Sequence, residues 1–101
     1  MTEKELRVGV VGVGYLGSIH ARIYQRMPNV NLAAVMDINT ESGSQVAQEC
    51  DCRFVQNLGD LLDSVDAVSI VVPTSLHREI AEPFLERGIP VLLEKPVAHT
   101  V

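Results

Sequence analysis

Three glycines follow the first apolar run of the chain, and their spacing constrains the fold more than any other feature. Residues 6–11 read LRVGVV, a short run that is apolar at consecutive positions, as a buried parallel strand requires. The run ends at GVGYLG, a G-x-G-x-x-G sequence at residues 12–17, and helical periodicity begins directly after it. A strand, a glycine turn and a helix in that order predict the first unit of a nucleotide-binding α/β domain.

Apolar runs and helical periodicities alternate along the rest of the chain. The further predicted strands are residues 30–36, 53–55, 67–72 and 90–93. The predicted helices are residues 15–27, 40–50 and 75–87, with a brief helical turn at 58–64. This alternation predicts a doubly wound α/β fold, a parallel sheet with helices on both faces, in one Rossmann domain over residues 1–101.

Apolar spacing also predicts how the elements pack. Leu16, Ile19, Ile23 and Met27 recur at intervals of three and four residues, which predicts the apolar face of the first helix. The strand at residues 67–72 is the most apolar of the chain, so we expect it at the centre of the sheet.

Capping residues and helix breakers set the predicted helix ends. Asn39 is the expected N-cap of the second helix, although Gly43 weakens that assignment. Gly88 is the expected C-cap of the last helix. Pro83 lacks a backbone donor and is expected to kink or loosen the final turns of that helix.

Composition and charge disfavour several classes of partner. The net charge is −5 and the eight basic residues are scattered, so nucleic acid and anionic membranes are not expected partners. No apolar run approaches the roughly 18 residues that span a bilayer, and the charged start MTEKELR is unlike a signal peptide, which predicts a cytoplasmic protein.

Cys50 and Cys52 are expected to be free thiols, since a disulfide between near neighbours is strained and a two-cysteine zinc site lacks two ligands. No metal site is predicted.

Each glycine of the turn has a separate predicted role in cofactor binding. Gly12 permits the tight turn, Gly14 leaves the backbone bare for a pyrophosphate, and Gly17 lets the helix pack closely on the sheet. The amide groups at the helix start, where Tyr15 and Leu16 lie, then point at the phosphates. Glycines at such a turn can also serve packing alone, which is the alternative.

Asp37 closes the second predicted strand, 20 residues beyond Gly17. A carboxylate there can accept hydrogen bonds from both hydroxyls of the adenosine ribose. Its charge repels a 2′-phosphate, and Ile38, Asn39 and Thr40 offer no basic group to reverse that preference. NAD is therefore favoured over NADP. Capping of the next helix by Asp37 is an alternative that is compatible with this role.

Pro73, Thr74 and Ser75 follow the fourth strand at its carboxyl end, where ligands bind in open α/β sheets. Thr74 and Ser75 either bond a cofactor ribose or cap the next helix. His77 is predicted in the first turn of that helix, where it either lines the cofactor groove or serves as a surface or capping residue.

Two opposite charges, Glu94 and Lys95, follow the fifth strand at the same edge. Lys95 in that place can hydrogen-bond a substrate hydroxyl beside the nicotinamide, and its charge can stabilise a developing alkoxide. Glu94 can pair with Lys95 and fix its position. A solvated ion pair at a strand end is the alternative.

Three segments, GVGYLGSIHARIY, VVPTSLHREIA and VLLEKPVA, resemble the N-terminal domain of the Gfo/Idh/MocA oxidoreductases, relatives of glucose-fructose oxidoreductase and inositol dehydrogenase. The resemblance covers residues 6–98, and its most specific element is the Glu94-Lys95-Pro96 motif. It implies that Lys95 contacts both substrate and nicotinamide, that Glu94 lies along the cofactor, and that Pro96 shapes the turn. His77 matches the family's histidine after the fourth strand. This match favours a place for His77 in the cofactor groove over a surface or capping role.

The resemblance also implies an activity and further parts for the intact protein. It implies an NAD-dependent dehydrogenase acting on a secondary alcohol of a sugar, cyclitol or nucleotide sugar, with UDP-N-acetylglucosamine 3-dehydrogenases as the most similar members. Family members carry a second α/β domain with the proton-relay histidine and the oligomer interface, so we expect this chain to be an N-terminal fragment of a homo-oligomer. His99 does not take the relay role. The candidate cofactor-binding residues are Gly12, Gly14, Tyr15, Leu16, Gly17, Asp37, Ile38, Pro73, Thr74, His77, Glu94 and Lys95, and Lys95 is the candidate catalytic residue.

Two other functions are consistent with parts of the pattern. A non-catalytic NAD-sensing regulator needs the glycines and Asp37 but has no use for Lys95. A methyltransferase that binds S-adenosylmethionine shares the glycine turn and the acidic residue, but the Glu94-Lys95-Pro96 motif counts against it.

Overall fold

A computed structural model describes residues 5–94 of the chain, apart from the side chain of Tyr15. Within these residues, strands and helices alternate as predicted, and a 3₁₀ turn at Thr74–Leu76 precedes the last helix. The elements are β1 (Leu6–Val11), α1 (Tyr15–Arg26), β2 (Val30–Met36), α2 (Thr40–Glu49), β3 (Arg53–Val55), α3 (Leu58–Leu62), β4 (Ala67–Val71), α4 (His77–Glu86) and β5 (Val91–Glu94).

The described strands form one parallel sheet in the order β3-β2-β1-β4-β5. The chain winds outward through β2 and β3, then returns to β4 on the other side of β1, which confirms the predicted doubly wound class. The prediction that residues 67–72 form the central strand is wrong, because β1 occupies the middle. β4 is nonetheless paired on both sides, which is the physical reason for its apolar sequence.

Two apolar cores cover the two faces of the sheet. Neighbouring residues of a strand point to opposite faces, and accordingly Val10 belongs to one core and Val11 to the other. α1 and α2 contribute to the core that holds Val10, while α3 and α4 supply Leu61 and Phe84 to the other. Leu61 and Phe84 are fully buried, and each such side chain stabilises the fold by roughly 1.5–3 kcal/mol.

The predicted apolar face of α1 is not the face that packs on the sheet. Ile23 and Met27 are 53% and 43% exposed, whereas the buried residues of the helix are Gly17 and Ala21. At Gly17 this inner side leaves no room for a Cβ, which would lie 1.6 Å from the backbone oxygen of Gly12, and further along the helix Tyr24 packs on the same core. Periodicity found the helix but assigned the wrong face.

The start of α2 follows the prediction. The side chain of Asn39 accepts a hydrogen bond of 3.0 Å from the backbone N–H of Ser42, so Asn39 is the N-cap. Gly43 does not weaken the helix, because the ring of Phe54 packs against it. A Cβ at position 43 would lie 2.2 Å from that ring.

α4 ends one residue before the predicted cap, because its C-cap is Arg87 and Gly88 follows it. The helix continues past Pro83 to Glu86 and ends within one turn of the proline. Gly88 follows with a φ of +73°, the left-handed conformation that terminates many helices and that glycine adopts without strain.

The two cysteines of the described chain are free, as predicted. Burial, with smaller contributions from the negative groups of Cys50 and Asp51, raises the pKa of the Cys52 thiol to about 12. A thiol with such a pKa is a poor nucleophile at neutral pH. Within residues 5–94, no helix is long and apolar enough to cross a membrane, and no group of three or more acidic, histidine or cysteine side chains could hold a metal ion.

Candidate functional site

The glycine turn joins β1 to α1 in a conformation that two of its glycines require. Gly12 has a φ of +88°, and a Cβ there would lie 2.2 Å from the backbone oxygen of Val71. A Cβ on Gly17 would lie 1.6 Å from the backbone oxygen of Gly12. The turn is thus packed directly against both the start of α1 and the end of β4, and no larger residue fits at either position.

Gly14 is different, because nothing surrounds it. It is exposed, and a Cβ built on it would meet no atom within 4 Å. Gly14 is the N-cap of α1 and has no side chain with which to cap it. Tyr15 and Leu16 are the first two residues of the helix, whose first N–H groups have no partner within the helix. With no acidic residue in that turn, the positive end of the helix is open to an anion.

Asp37 directly follows β2 and ties the glycine turn to the next loop. One carboxylate oxygen accepts a hydrogen bond of 2.8 Å from the N–H of Val13, and the other accepts one of 2.8 Å from the N–H of Asn39. The carboxylate therefore orients the turn as well as its own loop. Each oxygen keeps a second acceptor site, so two hydroxyl groups can still bind to it.

A groove of about 230 Å³ lies between the carboxyl ends of β1, β2 and β4 and the start of α4. Its lining is mainly apolar, and Asp37 is the charged side chain among the described residues that line it. Five of the predicted cofactor-binding residues line this one groove: Gly12, Gly14, Asp37, Ile38 and Pro73. It lies where the winding of the sheet reverses, the position at which ligands bind in doubly wound folds.

Sequence reasoning missed part of this groove. Leu76 and Ile80 line it together with Met36 and Val72. The spacing of four between Leu76 and Ile80 places them on one helix face, and this is the sequence signal that could have found them. Leu76 is in fact 37% exposed, because its side chain lies at the open groove.

The residues after β4 divide between the groove and its surroundings. Thr74 and Ser75 are exposed in the 3₁₀ turn, and neither makes a side-chain cap for α4. His77 is half-buried, and its Nε2 lies 2.8 Å from the backbone oxygen of Val72 and 3.1 Å from that of Glu94. It is not among the residues that line the groove.

Glu94 ends β5 at the same edge of the sheet. Its carboxylate lies 4.0 Å from Nε2 of His20, a side chain of α1 that is only 12% exposed. His20 was not predicted as a site residue; a histidine on the helix that follows the glycine turn is the signal that could have found it. Lys95, Pro96 and His99 lie outside the described residues.

A larger hollow, of about 590 Å³, lies near the opposite edge of the sheet. Its lining holds two basic and two acidic side chains, Arg7, Arg53, Asp51 and Asp63. Arg7 pairs with Asp66 at 3.0 Å and Asp63 with Arg87 at 2.8 Å, and Asp51 and Arg53 add one charge of each sign. These groups neutralise one another. The groove at the carboxyl edge is therefore the better candidate for a charged ligand.

A family model matches nearly the whole chain. The model of the Gfo/Idh/MocA family, described as an oxidoreductase family with an NAD-binding Rossmann fold, matches residues 6–101. The chain belongs to this family. The resemblance that the sequence motifs indicated is thereby confirmed, and so are the NAD-binding Rossmann fold and the wider class of oxidoreductases.

Individual relatives agree with the family. The chain is 46% identical over 91 residues to UDP-N-acetylglucosamine 3-dehydrogenase of Acidithiobacillus ferrooxidans, covering 90% of this chain and 28% of the relative. It is 39% identical to inositol 2-dehydrogenase 4 of Saccharopolyspora erythraea, covering 96% and 30%. GenD2 from gentamicin A biosynthesis, solved in complex with NAD, superposes with a TM-score of 0.86 at 33% identity, covering 93% and 28%. The chain thus spans less than a third of the length of these relatives.

Proposed function

We propose that the intact protein is an NAD-dependent dehydrogenase that oxidises a secondary alcohol of a sugar, cyclitol or nucleotide sugar. The observation that carries the proposal is the groove in which the open start of α1 and the carboxylate of Asp37 meet. The names of the relatives, UDP-N-acetylglucosamine 3-dehydrogenase and inositol 2-dehydrogenase, support the substrate class. They do not support a non-catalytic regulator.

The described residues fit the dinucleotide at both of its anchoring points. The free N–H groups at Tyr15 and Leu16 would bind the pyrophosphate, and the bare backbone of Gly14 lets it approach. The second acceptor sites of Asp37 would bind the two hydroxyls of the adenosine ribose. Ile38, whose side chain is 97% exposed beside them, offers an apolar surface to the adenine ring.

The nicotinamide half would extend towards the ends of β4 and β5. Pro73 and Thr74 follow β4 and would flank the second ribose, while Glu94 ends β5. When bound, NAD accepts the hydride that leaves the carbon of the alcohol. Lys95 would hydrogen-bond the oxygen of that alcohol, so that its positive charge stabilises the alkoxide while the hydroxyl proton passes to the proton-relay histidine expected in the second domain. Lys95 is accordingly the proposed catalytic residue.

We further infer the domain organisation, assembly and location of the enzyme. Residues 1–101 would be its N-terminal domain, followed by a substrate domain and assembled as a homo-oligomer in the cytoplasm. The net charge of −5 and the scattered basic residues argue against nucleic acid as a partner.

Calorimetric titration of the intact protein tests cofactor binding. We expect NADH to bind more tightly than NADPH, because Asp37 repels the 2′-phosphate. Asp37→Ala should weaken NADH binding about tenfold, the value of one or two lost hydrogen bonds. Unchanged NADH affinity in Asp37→Ala would contradict the assigned ribose site.

Turnover is measured as NADH formed from NAD with UDP-N-acetylglucosamine or myo-inositol, and Lys95→Ala should abolish it while NADH still binds.

A further inference from the structure

His77 lies between the ends of two strands rather than in the cofactor groove. Its Nε2 reaches the backbone oxygens of Val72, just past β4, and of Glu94, the last residue of β5. Carbonyl oxygens only accept hydrogen bonds, so this ring nitrogen must carry the hydrogen and donate it. One side chain thus bridges β4 and β5 at their carboxyl ends.

The bridge lies at the last described pair of β4 and β5. In that pair Val71 is opposite Glu94. The ring of His77 adds a second link between the two strands beside this pair, through a side chain rather than through the ladder. Because His77 begins α4, the bridge also connects the strand ends to the helix that lines the groove.

The bonded oxygen of Glu94 belongs to the peptide unit that joins Glu94 to Lys95. A peptide unit is planar, so a hydrogen bond to its oxygen restrains the orientation of the next Cα as well. From the other helix layer, His20 approaches the carboxylate of Glu94 at 4.0 Å. Glu94 is therefore contacted from α4 through its backbone and from α1 through its side chain.

We propose that His77 is a positioning residue, which holds the Glu94–Lys95 peptide so that Lys95 meets the reacting oxygen. The proposal rests on the proposed dehydrogenase function. It assigns His77 to the geometry of the catalytic lysine, in contrast to the sequence-based prediction that His77 contacts the cofactor. A displacement of about 1 Å in a catalytic group can cost roughly 100-fold in rate, so loss of the bridge should affect turnover far more than NAD binding.

The test compares three variants of the intact protein. His77→Phe keeps a ring but removes the donor, and His77→Gln restores an N–H donor at a similar reach. Arg78→Ala is the matched control, because Arg78 is the next residue of α4 and its side chain is 93% exposed. For each variant, kcat and KM are measured with NAD and UDP-N-acetylglucosamine or myo-inositol, and the Kd of NADH by fluorescence.

In His77→Phe we expect kcat to fall by roughly 100-fold while the Kd of NADH stays within about threefold of the wild type. His77→Gln should recover most of the lost kcat, and Arg78→Ala should match the wild type. The proposal is overturned if His77→Phe turns over like Arg78→Ala, if NADH affinity falls in parallel with kcat, or if His77→Gln is as impaired as His77→Phe. If thermal melting shows that His77→Phe is unfolded, His77→Asn, whose amide is too short to reach both oxygens, takes its place.

A second measurement needs no turnover and separates the two proposals. The lysines are methylated with isotope-labelled formaldehyde, and the NMR signal of Lys95 is assigned by its loss in Lys95→Arg. We expect a dispersed Lys95 signal that moves towards the free-lysine position in His77→Phe and returns in His77→Gln. If the wild type shows no turnover with either substrate, the proposed function fails. An identical Lys95 signal in all three proteins would instead overturn the role of His77.

Discussion

The starts of α1 and α2 differ in whether side chains of the protein satisfy their unpaired backbone N–H groups. Both helices begin at the carboxyl edge of the sheet, and both leave backbone N–H groups unpaired in their first turn. α2 is capped by the side chain of Asn39 and has Glu41 in its first turn, so its own residues satisfy its positive end. α1 begins at Gly14, which has no side chain, and has no acid in its first turn. The chain thus caps the start of α2 with its own side chains and leaves the start of α1 uncapped.

Asp37 connects the two starts. Its carboxylate accepts from Val13 in the turn before α1 and from Asn39 at the cap of α2. The carboxylate therefore sets the distance between the open helix end and the capped one. The same carboxylate is the proposed ribose site and lies beside the proposed pyrophosphate site, so one residue would serve both structure and binding.

The largest expected effect comes from adding a methyl group on the inner side of α1, where none fits. In Gly17→Ala the new Cβ would lie 1.6 Å from the oxygen of Gly12, so the glycine turn must move. We expect a loss of about 3 kcal/mol or more in the free energy of unfolding, measured by urea denaturation. The matched control is Gly59→Ala, since a Cβ there meets only the Asn57 side chain at 3.4 Å. That variant should be neutral or up to about 1 kcal/mol more stable. Equal stability of the two variants would disprove the close contact.

A smaller effect, confined to binding, is expected when α1 is made to resemble α2. Gly14→Asp supplies a capping carboxylate at a position with a φ of −68° and open space around it, so the fold should tolerate it. The new charge would repel the pyrophosphate by about 2–3 kcal/mol, which lowers NADH affinity roughly 100-fold. Gly14→Asn separates charge from size and should lose much less. Calorimetry that finds equal losses in both variants would attribute the effect to size instead.

The smallest effect is expected when the cap of α2 is removed. Asn39→Ala leaves the N–H of Ser42 without its side-chain acceptor and should cost about 1 kcal/mol of stability. NADH affinity should remain near that of the wild type, because only the backbone of Asn39 contacts Asp37. Asn57→Ala, which removes the equivalent cap of α3, provides the control and should behave alike. A large loss of NADH affinity in Asn39→Ala alone would mean that the two helix starts are not independent.

Local chemistry made much of the fold predictable. The strands at residues 30–36 and 53–55 end where predicted, because Asp37 directly follows the first and the helix cap Asn57 lies two residues beyond the second. The cap at Asn39 and the left-handed Gly88 depend on one residue and its neighbours, and both were predicted. The groove was predictable in outline, because carboxyl ends of parallel strands meet at one edge whatever the side chains are.

Features that depend on distant contacts were not predictable in this way. The need for glycine at position 17 of α1 comes from the oxygen of Gly12, and the packing at Gly43 of α2 comes from the ring of Phe54. Neither contact leaves a mark on the periodicity of the helix itself. His77 is the clearest case, since its partner Glu94 lies 17 residues away. Spacing placed His77 near the groove, and only the packed sheet shows which atoms it holds.

The sequence alone determined the order of the elements, the glycine turn, the acidic end of β2 and the family. These follow from residue types whose backbone conformations and charges act locally, so they can be recognised before folding is known. The tertiary structure decided which strand is central, which helix face is buried and which groups meet at the groove. Those features arise because parallel strands bring distant residues within hydrogen-bonding distance, and a linear pattern carries no record of that distance.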